Sequence, residues 1–374
     1  MKTDLMTVKM LELLALVGDM STDEIRPFFN SESYVRKLIT KLKNDKYIKK
    51  SCDTEKISYR LTNNGKKELH RYLPEIFQPL LSDRKSMNVV RNDKGYKDRR
   101  KKLLEVLTVF QRADVKIFPD EKFILRKIFL DAGTDNADTV LNCQPEFYTA
   151  VEIKEVIPDF NVAKGSRSLG ILISYGKIYV IYYTYEGDLL WRKETEIKFR
   201  ECVRNCLARK LFGNKKEVYL MVLADKEITV ETIMNRYKNK SVGKIYPSYD
   251  LPDMIFALKD TARDATLELI TQPGNLIWDF ERNLCEGLKP DMQFPFFSGR
   301  SQQKEGLYYL HTFMFDLYKV AAALDACATK GIEVNVVGFD YQELYIKSLV
   351  RKEHEDRVHF EPCYIEKESD SDDE

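Results

Sequence analysis

The strongest constraint on the fold lies at residues 33–42. Val35, Leu38, Ile39 and Leu42 recur at i, i+3, i+4 and i+7, the spacing of one buried helix face. The opposite face carries Ser33, Arg36, Lys37, Thr40 and Lys41. Such a helix must cover a core with one side and turn a polar, basic side outward. Two amphipathic segments precede it. Leu11, Leu13, Leu14 and Leu16 lie in the first; the second opens at Ser21 with Glu24 three residues on, a capping-box spacing. A hairpin pattern follows: Tyr47-Ile48-Lys49-Lys50, a polar tip at Asp53-Thr54-Glu55, then Ile57-Ser58-Tyr59-Arg60-Leu61. A further helix starts at Leu61-Thr62-Asn63-Asn64-Gly65.

The order helix, helix, helix, β-wing, helix is that of a winged helix-turn-helix, whose third helix is of a size the major groove admits. Charge points the same way. Residues 33–72 hold twelve Lys/Arg against four Asp/Glu, a difference of +8 in a chain whose total is +1. Lysines and arginines placed on phosphates release counterions, so such a patch binds DNA with a steep salt dependence. The expected partner is double-stranded DNA. The expected contacts are Ser33, Arg36, Lys37, Thr40 and Lys41 on the helix, and Lys49, Lys50, Lys56 and Arg60 on the wing. A solvated face on a protein-binding module is the competing reading.

At 374 residues the chain should hold two or three domains. The expected partition is a DNA-binding domain at 1–84, a basic linker at 85–96 and an α/β domain at 97–365. That domain has candidate subdomains at 97–240 and 241–365. Residues 366–374, with six acids, form an acidic tail expected to be disordered. No run approaches the ~18 apolar residues of a membrane span. The N-terminus lacks the apolar core of a signal peptide. A cytoplasmic protein with no membrane partner is expected. Seven scattered cysteines give only Cys202 and Cys206 in proximity, and four histidines stand without partners at ligand spacing. No structural metal or cofactor is expected. Residues 82–102 form a second basic stretch, with nine Lys/Arg against three acids, whose ends could touch DNA backbone.

Beyond the linker the pattern is α+β or α/β: a mixed sheet flanked by helices, with a restriction-endonuclease-like core as one version. A helix is expected at 97–113 and strands at 115–118, 123–130 and 147–156. Two more strands, 169–174 and 178–185, are split by the hairpin signal Tyr175-Gly176-Lys177. A helix at 198–212 and a strand at 218–224 follow. The pattern then predicts a long helix over 307–329 with Leu310, Phe313, Leu317 and Ala321 on one face, capped by Gly331. A strand at 332–338, a helix at 341–350 and a strand at 358–364 complete the cycle. Val151, Ile153, Val180, Val222, Val334 and Val336 are expected in the core.

One spacing has catalytic meaning. Glu152-Ile153-Lys154 on a strand would place acid and lysine on one face, because strand periodicity is two. With an upstream acid from Asp131, Asp135 or Asp138, Asp138 being the chosen candidate, the pair could hold Mg²⁺ against a phosphodiester. A half-exposed strand with a surface ion pair is the competing reading, and no strong metal-dependent cleavage is expected. Arg167 is a candidate phosphate contact. The tyrosines at 175, 179, 182, 183 and 185 raise a nucleophilic tyrosine but also fit strand packing. Gly-x4-Gly-Lys-Ser/Thr is absent, which argues against an ATPase or GTPase.

Taken in order, these segments resemble the replication-relaxation family of bacterial plasmids and integrative elements. The resemblance rests on Tyr59-Arg60-Leu61-Thr62-Asn63-Asn64-Gly65, then Val115-Lys116-Ile117-Phe118-Pro119-Asp120-Glu121, and Ala150-Val151-Glu152-Ile153-Lys154. Ser166-Arg167-Ser168-Leu169-Gly170 and Tyr179-Val180-Ile181-Tyr182 complete it, so that it covers residues 1 to about 225. It implies a DNA-binding protein of a mobile element acting in plasmid replication or mobilisation. A homo-oligomer or other mobile-element proteins would be its further partners. The alternatives are a Mg²⁺-dependent nuclease or nicking enzyme built on Glu152 and Lys154, and a winged-helix transcription regulator whose α/β domain senses a ligand.

Overall fold

A computed structural model describes residues 4–29, 31–51, 57–72, 74, 94–125, 143–156, 166–185, 193–212, 218–237, 252–257, 267, 270–272 and 276–364. They form an α+β protein with helices and several sheets. No helix among the described residues is long and apolar enough to cross a membrane. The chain divides into two compact units: residues 1–181 with 198–218, and residues 182–197 with 219–374. Residues 75–93, which include most of the expected linker, and the tail at 366–374 lie outside the described residues.

The first unit opens with α1 (Leu5–Val17), capped by Asp4, whose carboxylate accepts from the Met6 backbone N–H at 3.1 Å. Ten of its thirteen residues are buried, Glu12 among them. This is a helix enclosed on nearly all sides, rather than the surface amphipathic helix its leucines suggest. β1 (Asp19–Ser21) and α2 (Thr22–Ile25) follow, the latter closed by the expected capping box. The Ser21 N–H donates to Glu24 Oε2 at 2.7 Å, and the Glu24 N–H donates to Ser21 Oγ at 3.3 Å.

α3 (Glu32–Asn44) buries Val35, Leu38, Ile39 and Leu42, as the stripe requires. It ends without a glycine. Lys46 takes up the left-handed conformation at φ 57°, and the Tyr47 N–H reaches the Leu42 carbonyl at 2.9 Å. The Lys46 N–H reaches the Lys43 carbonyl at 3.0 Å, so the pattern is a Schellman motif with lysine in the usual glycine place. β2 (Ile48–Ser51) and β3 (Ser58–Leu61) then pair antiparallel, and a three-stranded sheet forms in the order β1-β3-β2. α4 (Asn63–Tyr72) packs its start against this turn. A Cβ on Gly65 would sit 2.3 Å from the Tyr47 carbonyl oxygen, so only glycine allows that approach.

The long helix α5 (Lys94–Arg112) ends the same way as α3, with Asp114 left-handed at φ 56° and the Val115 N–H on the Phe110 carbonyl. β4 (Glu146–Thr149), β5 (Gly170–Ser174) and β6 (Lys177–Thr184) follow. β4 pairs antiparallel with β5, and β5 with β6. Tyr175 and Gly176 both have positive φ, 40° and 83°, as the two central residues of a type I′ hairpin turn must.

Two expectations change here. Residues 115–118 form only an isolated bridge from Lys116 to Glu146, and Ile124 and Leu125 are helical. The strand expected over 147–156 stops at Thr149, and α6 (Ala150–Val156) takes its place. Ile153 is buried as expected, while Val151 is half-buried. α7 (Lys193–Val203), a π turn at Arg204–Ala208 and α8 (Arg209–Phe212) cover the expected helix, which begins five residues earlier than its periodicity suggests.

In the second unit β7 (Val218–Ala224) pairs in parallel with β8 (Met254–Ala257), and α9 (Glu227–Tyr237) connects them in sequence. After α10 (Leu276–Leu284) comes a four-stranded sheet made of β9 (Gly299–Arg300), β10 (Leu307–His311), β11 (Glu333–Gly338) and β12 (Val358–Pro362). Its order is β12-β11-β10-β9, with β10, β11 and β12 parallel. α11 (Leu317–Lys330) and α12 (Gln342–Leu349) supply the crossovers that parallel strands require.

The long helix expected over 307–329 is therefore a strand and a shorter helix. Leu310, Phe313, Leu317 and Ala321 are all buried but do not share one helix face. Val180, Val222, Val334 and Val336 are fully buried. Gly331 caps α11 in the left-handed region at φ 68°, as expected.

Candidate nucleic-acid interface

The outward face of α3 follows from its inward one. With Val35, Leu38, Ile39 and Leu42 turned to the core, Ser33, Arg36, Lys37, Thr40 and Lys41 are exposed. Two acids engage this face, and a third follows it in sequence. Glu32 accepts from Arg36 at 2.6 Å and pairs with Arg26 at 3.4 Å. Asp4 sits 3.4 Å from the Lys41 ammonium; against the burial that pushes it up, hydrogen bonds from the Met6 N–H and the Thr7 hydroxyl, and then Lys41, hold its carboxyl below the usual carboxylate range. The third, Asp45, follows the last turn of the helix. Lys37, Lys43, Lys49 and Lys50 have no hydrogen-bond or ion-pair partner among the described residues.

The exposed Arg36–Glu32 pair is worth only about 0.3–0.5 kcal/mol, as i, i+4 pairs on helix surfaces are. A phosphate could displace Glu32 at little cost. Thr40 donates its hydroxyl to the Arg36 carbonyl at 2.9 Å, within the helix.

The β2–β3 hairpin adds a second cationic element. Lys49 stands directly opposite Arg60 across the β2–β3 ladder, and Lys50 opposite Tyr59. Like charges directly opposed on a ladder destabilise it, unless an anion lies between them. Arg60 is half-buried, and its Nε has no hydrogen-bond partner. Lys56 lies outside the described residues, as does the polar stretch at residues 53–55.

The second basic stretch has a different fate. Arg100 donates to the Asp19 carboxylate and to Glu24, and Arg99 donates to the Ser168 carbonyl at 2.6 Å. Lys102 pairs with Asp98 at 3.1 Å. Arg99 and Arg100 thus make contacts within the first unit, while residues 82–93 of the stretch lie outside the described residues. Arg167 is exposed beside them.

The acid-x-lysine spacing sits on a helix, which corrects the strand placement; residues two apart share a face on a strand but not on a helix. Glu152 is buried. Its Oε1 accepts from the Lys122 ammonium at 2.6 Å, and its Oε2 accepts from the Thr149 N–H at 2.7 Å. The second bond and the reciprocal Glu152 N–H to Thr149 Oγ1 form a capping box for α6. Asp131, Asp135, Asp138 and the Lys154 side chain lie outside the described residues. Among the described residues no group of three acids, histidines or cysteines could hold a metal.

Sequence reasoning missed Lys122, the buried cation that faces Glu152. Its only signal is a lysine after Pro119-Asp120-Glu121, which reads as surface. No family model, curated protein or solved structure matches this chain.

Proposed function

We propose that the N-terminal module is a winged helix-turn-helix that binds duplex DNA, with α3 in the major groove and the β2–β3 wing on the flanking backbone. The observation that carries this reading is the α3 face. One side is sealed into the core, and the other presents Arg36, Lys37 and Lys41 beside the wing cations Lys49, Lys50 and Arg60. Cations reach phosphates, while Ser33 and Thr40 supply hydroxyls suited to base edges or backbone. The element order from α1 to α4 supports the winged-helix assignment. A site-specific role in plasmid replication or mobilisation extends this reading and rests on the family resemblance alone.

Selection of bound duplexes from a random pool by the full chain tests the proposal. A recovered common site supports a sequence-specific binder. Recovery of the input distribution with no retained DNA removes it. A nicking assay with Mg²⁺ on the selected site then addresses the nuclease alternative.

A further inference from the structure

Glu12 lies in the middle of α1 and is fully buried. Its Oε1 accepts the Asp120 backbone N–H at 3.1 Å, which brings the two carboxyl groups side by side. Glu12 Oε2 and Asp120 Oδ1 are both buried, and neither has a protein hydrogen-bond donor. An ionised carboxylate only accepts, so two ionised groups cannot satisfy each other. One proton placed between them turns an orphan oxygen into a donor and satisfies both.

Among the described residues no cation is free to do this instead. Lys122 is the nearest, and it is committed to Glu152 Oε1 at 2.6 Å and the Phe147 carbonyl at 2.8 Å. Lys9, one turn earlier on α1, pairs with Glu121 and lies over the Phe118 ring at 4.8 Å. Glu146 is saturated by the Phe123 and Ile124 N–H groups and the Tyr148 hydroxyl. A metal would have two carboxylates, no third acidic, histidine or cysteine ligand among the described residues, and a lysine close by.

We infer that Glu12 carries a proton at neutral pH and donates it to the Asp120 side chain, and that this proton latches α1 to the turn at residues 118–121. Because α1 also forms the interior of the N-terminal module, the latch joins that module to the rest of its unit. The inference stands apart from the DNA reading. Burial, and next the Asp120 carboxyl, push Glu12 up to about 9. The folded protein keeps this proton over the interval from about 4.5 to about 9 in which the unfolded chain gives it up. Stability therefore falls as pH rises through that interval and levels off above it.

Infrared difference spectroscopy and thermal unfolding of the full chain, wild type and Glu12→Gln, test this. The amide of Gln keeps the shape and donates without a titratable proton. The expected result is a protonated-carboxyl band at neutral pH that is missing in E12Q and disappears as pH passes about 9. The Tm of E12Q should rise relative to wild type as pH increases, by several degrees across the interval. A wild-type spectrum with no such band at neutral pH overturns the inference, as do Tm–pH curves that run parallel. So does a Tm increase on adding Mg²⁺ or Ca²⁺ that wild type shows and E12Q lacks, since a metal would then occupy the site. Should E12Q fail to fold, the wild-type band and a lower pH for its disappearance in Asp120→Asn decide the matter.

Discussion

Arg100 donates one guanidinium N–H to the Asp19 carboxylate at 2.8 Å and reaches the Asp19 backbone carbonyl at 2.7 Å. Its other terminal nitrogen meets Glu24 at 3.2 Å. A residue from the densest basic run of the chain thus ties α5 to β1 and α2. Ser58 Oγ donates to the same Asp19 carboxylate at 3.2 Å, so the contact reaches β3 as well.

Arg100→Met should destabilise the protein by about 3 kcal/mol, because it leaves Asp19 charged, largely buried and short of its main partner. Urea unfolding measures this. Arg100→Lys should recover only part of the loss, since one ammonium cannot replace a planar fork reaching three acceptors. Full stability in Arg100→Met would show that the pair is solvated and idle, and full stability in Arg100→Lys that a single ammonium suffices.

Lys49→Glu should separate stability from binding. It replaces a like-charge pair opposite Arg60 with an opposite-charge pair, a gain of about 0.2–1 kcal/mol for the wing. The same change should weaken DNA binding. A variant that is more stable and binds less tightly is the expected signature, read by thermal unfolding and fluorescence anisotropy. Tighter binding would place the wing away from the DNA.

Glu152→Ala should cost about 3–5 kcal/mol, by stranding the Lys122 ammonium in the interior and removing half of the α6 capping box. Glu152→Gln keeps an oxygen for the Thr149 N–H but turns an NH2 donor toward the Lys122 ammonium, so it should fold with reduced stability. It is therefore the variant to use in a supercoiled-plasmid assay. Cleavage by wild type with Mg²⁺ that Glu152→Gln abolishes, with folding and DNA binding intact, would favour the nuclease alternative.

His311 should titrate at about 4, because burial disfavours its charged form and Lys319 adds repulsion. Its Nδ1 lies 3.7 Å from the Cys285 thiol, so the ring is neutral in that contact near neutral pH. Above about 6.5 the residue contributes no pH dependence. As pH falls from about 6.5 to about 4, the unfolded chain takes up a proton that the fold refuses, and stability declines. A ring-proton NMR titration with an ordinary midpoint near 6.5 would contradict the burial argument.

Much of the architecture was readable where periodicity and turn chemistry agreed. The α3 stripe, the Tyr175-Gly176 hairpin, β7 at Val218–Ala224 and the Gly331 cap all fell where expected. Residues 307–317 misled because Leu307, Leu310, Phe313 and Leu317 mimic helical spacing. The dense Leu-Tyr-Tyr-Leu-His run is better suited to a strand, and Gly306 and Phe315, both at positive φ, break the chain on either side. The Glu152 motif was read with the wrong period, although Thr149-Ala150-Val151-Glu152 carries a capping-box spacing that marks a helix start. The helix ends at Asn44 and Arg112 had no glycine to announce them. Glu12 was illegible in another way, because its partner Asp120 lies 108 residues away.

The most direct test of the DNA-binding account is the salt dependence of duplex binding by the full chain, compared with Arg36→Ala/Lys37→Ala. Fluorescence anisotropy over a range of salt gives the slope of log affinity against log salt, about 0.9 per phosphate neutralised. The account predicts weaker binding in the double variant and a slope reduced by up to about 2, with unfolding curves unchanged. Equal affinity and equal slope in a correctly folded double variant would contradict it, and would remove α3 from the interface.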